Sequence, residues 1–83
     1  ELLHIGNEHL LCYIRFNHQR PSEKVLVIAN FDANPQYLDL DKLRNTGFNS
    51  YSKFVDLYSG IKPLQSDGRI TLEGYQFYWL TES

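Results

Sequence analysis

The chain has 83 residues, a formal net charge of −2 and a mean hydropathy of −0.42, with 42% hydrophobic and 14% aromatic residues. That length fits one domain with a modest core, and that apolar content excludes a disordered chain. The eight Lys and Arg residues are scattered singly, which argues against a nucleic-acid surface and against binding to an anionic membrane. No apolar run approaches the roughly 20 residues that a membrane-crossing helix needs. One cysteine, Cys12, excludes an intrachain disulfide. Without that staple or a signal-peptide pattern, the chain reads as cytoplasmic rather than secreted. It contains no Met and opens on Glu1-Leu2-Leu3 inside an apolar stretch, which suggests a piece of a longer parent.

Along the chain, strands alternate with turn signals. His9 to Phe16 reads as a strand with Leu10, Cys12, Ile14 and Phe16 on one face and Leu11, Tyr13 and Arg15 on the other. A polar, Pro-containing turn over residues 17–23 leads to Lys24–Phe31. There Val25, Val27, Ala29 and Phe31 face one way, and Leu26 and Ile28 the other. Both faces are apolar, so this strand is expected to be central and covered on both sides. After the Asp32-Ala33-Asn34-Pro35 turn, Gln36 to Leu40 reads as a short strand. Asp41 is placed to cap a single helical turn through Leu43 and Arg44 that ends near Gly47. Residues 41–50 also suit an extended crossover between sheets.

Tyr51 to Tyr58 reads as a strand centred on Phe54 and Val55, closed by Ser59-Gly60. Ile61 to Ser66 is a weak strand, and Asp67-Gly68 is a two-residue hairpin signal. Arg69 to Leu72 returns, Glu73-Gly74 breaks it, and Tyr75 to Leu80 is a last aromatic strand. About seven or eight short strands at this spacing predict an all-β, Greek-key-like antiparallel sandwich over residues 1–83.

No residue constellation carries catalysis or holds a cofactor or metal. Asp39 and Asp41 border a turn, where carboxylates serve solvent and caps better than a glycosidic bond. Asp56, ahead of Ser59-Gly60, is expected to accept backbone N–H groups in that turn. His4, His9 and His18 lack the tight spacing of zinc ligands. Cys12 lies on an apolar strand face and reads as an inert buried thiol. Aromatic side chains are the remaining candidates, because exposed rings stack on sugars or pack on a neighbouring domain. Tyr13, Tyr37, Phe48, Tyr51, Tyr58 and Tyr78 form that set, while Trp79 is expected in the core.

Five blocks, in order, carry a resemblance. Gly6-Asn7-Glu8-His9-Leu10-Leu11-Cys12-Tyr13-Ile14-Arg15 is similar to a "GNPHVLAYLR" strand, and Lys24–Phe31 resembles "VLVLANFS". Leu38-Asp39-Leu40-Asp41-Lys42-Leu43-Arg44 is similar to "VDLDALR", Asp56-Leu57-Tyr58-Ser59-Gly60 to "DLLSG", and Ile70–Leu80 to "LTLAPYQVLWL". Together they resemble the C-terminal domains of the α-amylase superfamily of glycoside hydrolases, and the Leu38–Arg44 block resembles amylosucrases within it. The chain departs from the pattern at Glu73-Gly74 and at Tyr58.

The resemblance implies a non-catalytic domain that packs on and stabilises the catalytic (β/α)8 barrel of the same parent chain. Catalytic carboxylates would lie in that barrel. The parent would be a retaining α-glycosidase or glucosyltransferase acting on sucrose or α-glucans, and the domain alone would expose an apolar patch. Two other readings fit the residues: a carbohydrate-binding module that holds α-glucan on exposed aromatics, and a generic sandwich interaction domain.

Overall fold

The computed structural model describes residues 2–3, 5–16, 19, 24–44, 46–48 and 51–82. Among these, seven strands form two antiparallel sheets. They are β1 (Leu10–Phe16), β2 (Lys24–Asn30), β3 (Gln36–Asp39), β4 (Phe54–Asp56), β5 (Gln65–Ser66), β6 (Arg69–Leu72) and β7 (Phe77–Glu82). One sheet has the order β1-β2-β7-β4 and the other β3-β6-β5, so the fold is the expected β-sandwich.

Period-two alternation sets the core. On the first sheet Cys12 and Ile14 of β1, Leu26 and Ile28 of β2, Tyr78 and Leu80 of β7, and Phe54 of β4 turn inward and are buried. From the second sheet Leu38, Ile70 and Leu72 meet them, each at most 1% exposed. Leu43 and Phe48 from the 40–48 segment complete the cluster, with Phe48 edge-on to Phe54 at 5.3 Å.

The Asp67-Gly68 hairpin forms as its sequence dictates, with both residues in the left-handed region (φ 53° and 73°) between paired Ser66 and Arg69. The turn leading into β7 is tighter. Tyr75 has φ 59°, and a Cβ on Gly74 would lie 2.1 Å from the Ala33 carbonyl oxygen. Only glycine lets the two backbones approach this closely.

Several element bounds differ from the sequence reading. The helical turn is a 3-10 turn over Leu40–Leu43, and Asp39 rather than Asp41 stands at its cap position. Asp41 instead pairs with Arg44 at 3.2 Å, and the turn ends at Arg44, short of Gly47. The expected strand Tyr51–Tyr58 keeps only Phe54–Asp56. Tyr51–Lys53 is a second 3-10 turn, and the Asp56 carboxylate draws Ser59 back and ends the strand. From Ile61–Ser66 only Gln65 and Ser66 pair, since Pro63 has no N–H to offer a ladder. The last strand starts two residues later than expected, after the 73–76 turn, and runs on to Glu82.

A buried amide ties the sheets together. Asn30 is 3% exposed. Its side-chain nitrogen donates to the carbonyls of Asn34 (3.0 Å), Glu73 (2.9 Å) and Leu72 (3.4 Å). Its side-chain oxygen accepts the Asp32 N–H at 2.8 Å. One residue at the end of β2 thus satisfies backbone groups of the chain entering β3 and of the chain leaving β6.

Candidate functional site

The outward positions of the four-stranded sheet make a continuous apolar face. Strand alternation puts Leu11 and Tyr13 of β1, Val25, Val27 and Ala29 of β2, Phe77 and Trp79 of β7, and Val55 of β4 on this side. Their registers align them in rows, Tyr13–Val27–Trp79 and Leu11–Ala29–Phe77. Val27 at the centre is only 5% exposed, whereas Phe77 is 57% exposed. Among the described residues the expected cover of β2 is a second sheet on one side, over Leu26 and Ile28. On the other side Val27 is buried within its own row, flanked by Tyr13 and Trp79.

Trp79 belongs to this outer face and not to the core as expected. The alternation of Tyr75, Phe77 and Trp79 against Tyr78 and Leu80 was legible in the sequence, but the core takes the other set. Tyr78 and Leu80 pair with the inward Ile28 and Leu26, so Trp79 must point away. Its half-buried indole lies under the Arg15 guanidinium, 5.1 Å from the ring centroid. The Tyr58 ring meets it edge-on at 5.4 Å. Arg15, Phe16, Lys24, Val25, Leu57 and Trp79 line a shallow groove of about 590 Å³ along this edge.

Asp56 fixes the strand that carries the indole. It is 7% exposed. One carboxylate oxygen accepts the Trp79 N–H at 2.8 Å, and the other accepts the Ser59 N–H at 3.1 Å and the Ser59 hydroxyl at 2.7 Å. Burial alone would raise its pKa. The hydrogen bonds from Trp79, Ser59 and Tyr58 outweigh burial and hold the carboxyl below its ordinary value. The expected turn role is thus present, and the bond to Trp79 across the sheet adds to it.

The six aromatic candidates do not converge. Tyr13 and Tyr58 border the outer face. Tyr37, 51% exposed, lies on the opposite side of the sandwich under Arg69. Tyr51 is half-buried against Phe54 at 5.8 Å. Phe48 and Tyr78 are 5% and 7% exposed and offer no ring to a ligand. Trp79, Phe77 and Leu57, absent from that set, dominate the apolar face. The signal that finds Trp79 and Phe77 is the doubly apolar β2, whose Val27 and Ala29 pair with them.

The other candidates have local roles. Asp39 pairs with Arg69 at 3.3 Å, and His9 Nδ1 lies 2.9 Å from an Asp32 carboxylate oxygen. Cys12 is 1% exposed, and burial pushes its thiol up to about 12, which makes it a poor nucleophile. His4 and His18 lie outside the described residues.

Residues 1–79 match the family model described as Maltogenic Amylase, C-terminal domain. No curated protein matches the chain.

Proposed function

The chain belongs to the maltogenic amylase C-terminal domain family, the non-catalytic C-terminal domains of α-amylase-type enzymes, and on that premise we propose that it docks on the catalytic (β/α)8 barrel of its own parent chain. The outer face of the four-stranded sheet makes the contact, and residues 1–83 act as one stabilising domain. The observation that carries this reading is β2. It is apolar on both faces, its inner face meets the second sheet, and among the described residues no second sheet lies over its outer face, where Leu11 and Phe77 are 38% and 57% exposed. A contiguous apolar face of this kind marks a surface that another body covers.

The parent is a retaining enzyme of α-glucan metabolism. The name of the matched family favours an α-glucan as its substrate. The similarity of Leu38–Arg44 to amylosucrases supports the narrower version, in which glucose passes from sucrose to such a glucan.

Hydroxyl-radical footprinting of the chain alone and of the enzyme that carries it tests the docking. Labelling of Tyr13, Phe77 and Trp79 should fall several-fold in the enzyme, while Tyr37 on the opposite sheet stays labelled. Equal labelling of Phe77 and Trp79 in both samples overturns the reading.

A further inference from the structure

Among the described outward residues of β1, β2, β4 and β7, Arg15 alone is charged. It stands two residues along β1 from Tyr13, whose row holds Val27 and Trp79, and its guanidinium lies over the Trp79 ring. The groove along that edge has Arg15 and Lys24 as its charged residues, both cations, and Phe16, Val25, Leu57 and Trp79 as its apolar lining. We propose that an Asp or Glu on the surface of the parent's own barrel enters this groove and pairs with Arg15, flanked by apolar side chains that pack on Trp79 and Leu57. This pairing rests on the docking proposed above, and it names the chemistry of the surface that docks.

Desolvation requires the carboxylate. The guanidinium lies over the indole, so a body that covers Trp79 takes Arg15 out of water with it. A cation buried without an anionic partner is strongly destabilising. Arginine does not escape by losing its proton. The ring contact offsets part of that cost but supplies no negative charge. A purely apolar docking surface would therefore work against itself at this edge.

Among the described residues this chain does not supply the partner. No described carboxylate is in ion-pair contact with Arg15 or Lys24. The acids of the four-stranded sheet, Asp56 and Glu82, occupy inward positions opposite Leu80 and Phe54. Both Asp56 oxygens already accept hydrogen bonds from Trp79 and Ser59. The Lys24 ammonium is held over the Phe48 ring, 5.1 Å from its centroid. Arg15 thus presents the planar fork of N–H donors that a carboxylate accepts in pairs. Its surroundings suit an interface anchor as well. Interface energy concentrates on Trp, Tyr and Arg, and here Trp79, Tyr58 and Arg15 meet at one place.

The test uses the whole enzyme that carries this chain, with Arg15→Met and Arg15→Lys. Methionine keeps much of the length and removes the charge, so the two possibilities differ in sign. If a barrel carboxylate pairs with Arg15, Arg15→Met leaves that acid buried alone, and hydroxyl-radical labelling of Trp79 should rise at least about threefold. Tyr37 labelling should stay constant and report an intact sandwich. In Arg15→Lys the charge is kept and an amine is gained. A carbodiimide, which joins an amine to a contacting carboxylate with no spacer, should then link position 15 to an Asp or Glu outside residues 1–83 of the same chain. Three results overturn the proposal: Trp79 labelling unchanged or lower in Arg15→Met; position 15 linked only to acids within residues 1–83, or to none; or a link that joins two copies, which would make a second copy the occupant. Any of these with Trp79 still protected in the unaltered enzyme leaves the docking standing and removes only the carboxylate. A Trp79 that labels equally in the unaltered enzyme and in the chain alone overturns both.

Discussion

On the three-stranded sheet the outward residues of β3 and β6 are Tyr37, Asp39, Arg69 and Thr71; on the four-stranded sheet those of β1, β2 and β7 are Leu11, Tyr13, Val25, Val27, Ala29, Phe77 and Trp79, with Arg15 and Thr81 the two exceptions to an apolar set. Both sheets obey the same alternation, and both send their apolar residues inward to one shared core. The outward positions therefore carry the difference. One set follows the pattern of a sheet that faces water, with an ion pair and a cation–ring contact. The other follows the pattern of a sheet buried on both sides. The second apolar face is the one that a neighbouring body would cover.

Substitutions can separate what the two faces share from what each has alone. The largest effect is expected at Asn30, which belongs to both. Asn30→Ala removes its side-chain hydrogen bonds to the chain entering β3 and to the chain leaving β6. The expected loss is about 3 kcal/mol, read by urea unfolding. Far-ultraviolet dichroism and Trp79 fluorescence should shift together to the same lower midpoint. If only the fluorescence transition moves, the sheets unfold separately and the two faces are not parts of one cooperative unit.

Asp56 comes next and acts on the apolar side alone. Its carboxyl has a depressed pKa in the folded chain. The stability it contributes is therefore present above the unfolded aspartate value of about 3.9, and it is lost as pH falls through the lower folded value. Asp56→Asn should cost about 2 kcal/mol near neutral pH and much less at pH 2. The stability curves of the two proteins, measured from pH 2 to 7, should thus converge on the acid side. A constant gap across that range would remove the charge from the explanation.

The longer strands β1 and β2, the Asp67-Gly68 hairpin, the buried Cys12 and the turn role of Asp56 were legible because each depends on local pattern. Alternation, a two-residue turn and an acid before Ser-Gly all act within a few residues. Which face of β7 is the core was not legible. Tyr75, Phe77 and Trp79 against Tyr78 and Leu80 are two apolar sets of similar weight, and only pairing with Leu26 and Ile28, some fifty residues upstream, decides between them. Asn30 was hidden for the same reason. Its partners at Leu72 and Glu73 lie 42 and 43 residues away, and nothing in the sequence around it marks an amide that joins two sheets. The outer face itself was half legible. The doubly apolar β2 announced a second cover, and among the described residues the structure shows a sheet on one side only.

The smallest effect is expected on the polar side, and it is the sharpest check on the contrast between the faces. Asp39 and Arg69 are paired at 3.3 Å, but their side chains are 58% and 52% exposed. Water and salt screen such a pair, and holding two mobile side chains together offsets most of the attraction. Asp39→Asn should therefore change stability by less than about 0.5 kcal/mol, and 0.5 M NaCl should erase even that difference. The Tyr37 ring keeps its Arg69 neighbour in the variant, so the outward surface of β3 should hold its shape. A loss of 2 kcal/mol or more would mean that the ion pair supports the fold. The polar face would then share with Asn30 and Asp56 the work of holding the sandwich.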